Sequence, residues 1–190
     1  MVYGVGYCSR ESKRYGNWKN KCYVTWKCML KRCYSSESKY ENYKTLGITV
    51  CDEWLDFSVF EKWFDRNYYE IDGEEMQLDK DILNHGNILY CPENCVFVPK
   101  AINMLFVKSK NRRGDLPIGV YYDKQNHCYV SCCSVFGKNV KAKHKDIESA
   151  FERYKEVKED YIHNMAKVYI GKIPERLYNA MMAYKVKITD

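Results

Sequence analysis

Residues 117–165 read PIGVYYDKQNHCYVSCCSVFGKNVKAKHKDIESAFERYKEVKEDYIHNM, and this stretch decides the fold. Residues 117–122 form a strand-like run, and 123–126 carry turn residues. Residues 129–135 read as a second strand. Phe136-Gly137-Lys138 then turns the chain into a third short strand near 139–143. The period changes at Asp146, which is placed to cap a helix. Ile147, Ala150, Phe151, Tyr154, Val157, Tyr161, Ile162 and Met165 trace one apolar stripe at helical spacing. Three short strands followed by a long amphipathic helix predict an antiparallel sheet backed by that helix. Val120, Tyr122, Val130 and Val135 are the strand positions expected to receive the stripe.

Outward from this core, a last helix is expected from Pro174, with Leu177, Ala180, Met181 and Tyr184 on one face. Upstream, residues 107–115 are polar and cationic and read as a basic linker. The expected organisation is a module over 1–106, the linker, and a sheet-and-helix domain with a helical extension over 116–190. In the front module Tyr23, Trp26, Leu30 and Cys33 predict a helix over roughly 20–34. Phe57, Phe60, Trp63 and Phe64 predict another over about 55–67. Ile48-Thr49-Val50-Cys51 is strand-like. Residues 76–99 read as loop and short strands, with Leu89-Tyr90 and Val96-Phe97-Val98 flanking a Cys91-Pro92-Glu93-Asn94 turn. The fold class is therefore α+β.

The chain has 190 residues and a net charge of +6, but the charge is unevenly spread. Residues 1–45 and 100–145 are strongly basic, 46–99 are strongly acidic, and the remainder balances. A basic block on a sheet domain is the footprint of a phosphate-backbone binder. The acidic block argues against a chain that coats DNA along its whole length. No apolar run is long enough for a membrane span. No leader-like segment opens the sequence, and ten cysteines are too sparse for a disulfide-stapled scaffold. The expectation is a cytosolic protein with reduced thiols and no membrane partner.

Two motif sets carry a resemblance. Leu78-Asp79-Lys80-Asp81-Ile82-Leu83, Gly86-Asn87, the run Tyr90-Cys91-Pro92-Glu93-Asn94-Cys95-Val96-Phe97-Val98-Pro99, and Asn103 resemble bacteriophage proteins related to His-Asn-His homing endonucleases. The upstream pieces around Trp26, Met29-Leu30, Arg32-Cys33-Tyr34 and Val50-Cys51-Asp52-Glu53-Trp54 are similar to the same group. Residues from Gly119 through the helix containing Ala150 resemble the three-stranded DNA-binding domain of plant ethylene-response factors. The resemblance implies a ββα-metal-like front module and a DNA-binding rear domain. It also implies a bacteriophage protein working in a host bacterial cytosol.

Residue by residue, the resemblance makes Asp79 the acidic metal ligand and Asn103 the candidate for the last ligand position. Asn87 or Asn94 stands for the middle asparagine, so Asp79, Asn87 and Asn103 are the candidate catalytic set. Lys80, however, occupies the place of the general-base histidine, where an ammonium is a poor base at neutral pH. His85 is five residues displaced. In the rear domain Tyr121, Asp123, Cys132 and Ser134 stand where the plant domains carry base-reading arginines and tryptophan. Bidentate guanine readout is therefore missing at those positions. Arg112, Arg113, Lys124, Lys138, Lys141 and Lys143 remain as the expected phosphate contacts. Cys33, Cys51 and Cys95 have apolar neighbours and read as small core residues; their spacing does not make a zinc ribbon.

The leading expectation is a non-catalytic, phage-type protein that binds duplex DNA through a basic sheet, with no cofactor. A metal-dependent homing or nicking endonuclease using magnesium at Asp79 and Asn103 is one alternative. The other is a phage inhibitor that binds a host or anti-phage defence protein.

Overall fold

The computed structural model describes residues 1–107 and 115–190, and the chain divides into two compact units, Met1–Asn103 and Met104–Asp190. The first unit runs α1 (Lys21–Tyr34), α2 (Glu41–Thr45), β1 (Thr49–Val50), α3 (Phe57–Asn67), β2 (Met76–Asp79), β3 (Leu89–Tyr90), β4 (Val96–Pro99) and α4 (Lys100–Asn103). The second runs β5 (Val120–Asp123), β6 (Cys128–Val135), β7 (Lys138–His144), α5 (Ile147–Val168) and α6 (Glu175–Ala183).

In the first unit α1 begins where the Asn20 side chain accepts the N–H of Cys22 at 3.0 Å, and it ends with Lys31 and Arg32 in its last turn. Asp56 caps α3 in the same way through Ser58 N–H at 2.9 Å. Both caps satisfy N–H groups that have no partner inside the helix. The helices bury their aromatic faces against each other, with Trp26, Trp54, Phe57 and Phe60 fully enclosed. Trp26 Nε1 donates to the Trp54 carbonyl at 2.7 Å, so the indole brings no unsatisfied donor into the core. Gly6 lies directly on this core: a Cβ there would come within 2.4 Å of Leu30 and 2.8 Å of Trp26.

Two small strand pairs complete the unit. β1 and β3 are parallel, with Val50 opposite Tyr90. β2 and β4 are antiparallel, with Leu78 opposite Phe97 and Asp79 opposite Val96. β4 leads straight into α4, and the segment joining β2 to its partner β4 contains β3, which pairs with β1 instead. β2 was expected only as part of an irregular stretch. Its pairing with a segment some twenty residues away leaves no local periodicity to detect.

In the second unit β5, β6 and β7 form one antiparallel sheet in sequence order, and α5 packs across one face. Asp146 caps α5 through Ser149 N–H at 2.7 Å. Register fixes the faces. Val120 pairs Ser131, Tyr129 pairs His144, and Cys133 pairs Val140, so these side chains share the α5 side. Val120, Cys133, Ala150, Phe151 and Tyr154 are the buried cluster there, joined by Tyr129, Val135 and Val157. Val130 does not receive the helix as expected. It pairs Tyr121 and Lys143 and is buried on the opposite face. Tyr122 does lie on the α5 side but stays 42% exposed, its ring against Tyr129 at 5.1 Å.

Gly119 precedes β5 in a left-handed backbone (φ 75°), and a Cβ there would fall 2.0 Å from the Tyr154 ring. The missing side chain is what lets the tyrosine pack. The final helix starts at Glu175 with Pro174 as its cap rather than its first residue. Beyond it, buried Glu159 of α5 accepts Val186 N–H at 2.9 Å and Lys185 Nζ at 2.8 Å, fastening the C-terminal segment to the helix. Among the described residues no helix is long and apolar enough to cross a membrane.

Candidate functional site

The first candidate set gathers at the end of β2. One Asp79 carboxylate oxygen accepts the backbone N–H groups of Asp81 and Ile82, each at 2.8 Å. Burial pushes this carboxyl above the usual carboxylate range, and the two N–H bonds and Lys80 only partly oppose it. The next residue, Lys80, is buried. Its ammonium donates to Asp81 Oδ1 at 2.6 Å and to the Asn87 carbonyl at 2.7 Å. It also lies 5.8 Å from the centre of the Tyr90 ring, which carries the Arg32 guanidinium at 5.5 Å. Lys80 is thus held as a structural cation.

Asn87 closes the loop over it. Its Nδ2 donates to the carbonyls of Lys80 (3.0 Å) and Leu89 (2.7 Å), while its Oδ1 accepts from Leu89 N–H (3.1 Å) and Asn94 Nδ2 (2.8 Å). Of the two candidate asparagines, Asn87 is therefore the one that stitches the loop to its own ends, with Asn94 bracing it. Every hydrogen-bonding group of its amide is engaged within the loop. Asn103, on α4, donates to Gln77 Oε1 at 2.8 Å; Gln77 alternates onto the same side of β2 as Asp79. The fold thus brings Asn103 to Asp79's side of the hairpin, with its amide engaged by glutamine. His85 sits exposed in the loop. Among the described residues no group of three or more His, Cys, Asp or Glu side chains is placed to hold a metal ion.

The cysteines follow their apolar surroundings. Cys33 and Cys95 are buried, and Cys51 is half-buried. Burial pushes the Cys33 thiol up to about 11 and the Cys51 thiol up to about 12, and raises Cys95 as well. Burial thus keeps all three as thiols at neutral pH rather than reactive thiolates.

The second candidate set lies on the sheet. Pairing Cys132 with Lys141 and Val130 with Lys143 puts both lysines on the face turned away from α5, along edge strand β7. Both are exposed, together with Ser134 and Asn139 on the same face. Lys141 Nζ lies 5.8 Å from the centre of the Tyr121 ring, which is 40% exposed. Asp123 belongs to this face too. Hydrogen bonds from Asn126 and Gln125, with Lys143 nearby, hold its carboxyl below the usual range, so one negative charge sits among the cations.

The remaining expected phosphate contacts are dispersed. Lys138 pairs with Val135 and alternates onto the α5 side, and Lys124 stands in the β5–β6 turn. Arg112 and Arg113, with most of the expected linker, lie outside the described residues. The pattern Lys141-x-Lys143 was the readable signal for the outer face, since alternation forces two such residues to one side of a strand.

Sequence reasoning missed Trp18, an exposed ring at the start of α1; an aromatic inside the polar run Asn17-Trp18-Lys19-Asn20 was its available signal. Comparison with protein-family models, curated proteins and solved structures gave no match for this chain.

Proposed function

We propose that this chain is a non-cleaving nucleic-acid-binding protein of bacteriophage type that grips duplex DNA by its backbone through the outer face of the β5–β6–β7 sheet. Its front half is read as a degenerate His-Asn-His-like module and its rear half as a relative of the ethylene-response-factor domain, at work in a host bacterial cytosol. The observation that carries the reading is the exposure of Lys141 and Lys143 on the face turned away from α5, with Lys141 beside Tyr121.

Lysines on a strand offer compact charges that suit phosphates, whereas Cys132, Ser134 and Asn139 on the same face are too short to probe a groove deeply. Binding is therefore expected to be tolerant of sequence. The front module supports a non-cleaving role through Lys80, whose ammonium is engaged by Asp81 and Asn87 where a neutral base would be required. DNA retention measured across a salt series tests the proposal. Lys141→Ala with Lys143→Ala should weaken binding similarly for unrelated duplexes and flatten the salt slope by roughly two units. No retention at low salt, or a slope untouched by the double substitution, would refute it.

A further inference from the structure

A second surface lies wholly within the first unit. Trp18 is 63% exposed in the turn before α1, yet it is firmly mounted. Asn17 Oδ1 accepts Lys19 N–H at 3.0 Å, Asn20 N–H returns to the Asn17 carbonyl at 3.0 Å, and the indole packs edge-on against buried Tyr23 at 5.8 Å. Lys27 of α1 places its ammonium 3.1 Å from the Trp18 ring centre and 5.9 Å from that of Tyr3. Lys31, one helical turn on, lies 5.9 Å from the Tyr40 ring, and Lys39 lies 4.9 Å from the same ring.

The outer side of α1 thus carries a row that alternates ring and cation: Trp18, Lys27, Tyr3, Lys31, Tyr40, Lys39. Glu37 is the acid inside it, shared by Lys31 at 2.6 Å and Lys39 at 3.0 Å, while Lys27 makes no ion pair among the described residues. Among the described residues Tyr3 is one of three non-glycine residues with positive φ (51°), so the backbone adopts an uncommon conformation at the residue whose ring stands beside Lys27.

We infer that this row binds single-stranded nucleic acid, its rings stacking on unpaired bases and its ammonium groups meeting the adjacent phosphates. Trp18 is the exposed ring of the row, with Tyr3 and Tyr40 half-buried beside it; aromatics interleaved with cations are the arrangement such strands use, and a duplex keeps its base faces hidden. Lys27 and Lys31 are separated by roughly 6 Å of helix rise, close to the step between successive phosphates of an extended strand. The strongly basic balance of residues 1–45 supplies the complementary charge. This surface is independent of the sheet face, and its own reporter separates the two. Trp26 and Trp54 are fully enclosed and Trp63 is half-buried, so Trp18 is the tryptophan most accessible to a quencher.

The full chain is titrated with oligothymidylate and oligouridylate of about a dozen nucleotides while tryptophan emission and acrylamide accessibility are followed. Both strands should quench the accessible emission and shield it from acrylamide, with a duplex of the same length far weaker. Lys27→Gln, which keeps the reporter, should weaken the effect at least about tenfold, Trp18→Leu should remove it, and Lys172→Gln on the other unit should leave it unchanged. Equal quenching by the duplex, equal protection by polyglutamate, or a signal that survives Trp18→Leu would overturn the inference.

Discussion

Placing a methyl group on Gly119 is the sharpest test of how the sheet meets α5. The residue sits at φ 75°, a conformation that costs an L-residue about 1–2 kcal/mol. The added Cβ would also fall 2.0–2.3 Å from Tyr154 ring atoms, and overpacking of this kind costs about 1–3 kcal/mol. Gly119→Ala should therefore destabilise the second unit by about 2–5 kcal/mol, a large share of the ~5–15 kcal/mol typical of a domain. The two contributions separate in a double-mutant cycle. Tyr154→Ala alone should cost about 3–5 kcal/mol, but in that background Gly119→Ala should add only the conformational ~1–2 kcal/mol. Urea denaturation followed by far-UV circular dichroism gives the energies, and amide exchange in β6 and α5 locates the loss. A strictly additive cycle would show that Tyr154 does not pack over Gly119. A neutral Gly119→Ala would show that the backbone there is not left-handed.

Glu159 gives a pH-dependent prediction. Burial alone would raise its carboxyl, but the bonds from Lys185 and Val186 N–H outweigh that and hold it below the usual glutamate range. Because the folded value is depressed, its stabilisation is fully present above the unfolded glutamate pKa and fades as pH falls through the folded one. Glu159→Gln should cost about 1–3 kcal/mol near neutrality and converge on the parent in acid, as read by chemical denaturation at several pH values. Lys158, half-buried on α5 with burial holding its ammonium below the usual lysine range, works in the opposite direction. Lys158→Met should raise the melting temperature at pH 7, with the gain shrinking as pH climbs towards the ordinary lysine pKa. Asn87→Ala deletes four hydrogen bonds that close the loop over Lys80 and should cost about 2–4 kcal/mol, with amide exchange accelerated across residues 80–90. Unchanged exchange there would mean that the loop does not depend on the asparagine.

Much of this architecture was legible because its determinants are local. The α5 stripe and the Asp146 cap lie within one continuous segment, as do the aromatic faces of α1 and α3, so helical period alone locates them. β2 was not legible as a strand, since Met76–Asp79 is defined by Val96–Pro99 and the loop between them hides the pairing. Val130 and Val135 could not both face α5: they lie five residues apart in β6, so alternation sends them to opposite sides, and the pairing of Val120 with Ser131 gives the α5 side to Val135. At the candidate sites, the sequence placed Lys80 between two aspartates, Asp79 and Asp81. What it could not supply was the ammonium's enclosure by Asp81, Asn87 and Tyr90, which depends on the loop closing. Trp18 and Lys27 escaped notice for a related reason, being nine residues apart and brought together only by the turn into α1.

The β6–β7 connection has a consequence for the sheet's chemistry. Phe136 and Gly137 both take positive φ, 48° and 75°, a two-residue hairpin turn in which phenylalanine is an unusual choice, and the Phe136 ring rests edge-on against Tyr161 at 4.9 Å. The length of that turn sets the parity of β7. One residue more or fewer between Val135 and Lys138 exchanges the two sides of the strand, sending Lys141 and Lys143 beneath α5 and lifting Val140 and Ala142 outward. The outer charge of this sheet is thus written in the count of residues at its tip as much as in the lysines themselves. Variation at the tip would exchange Lys141 and Lys143 for Val140 and Ala142 on the outer face without altering a single residue of the strands.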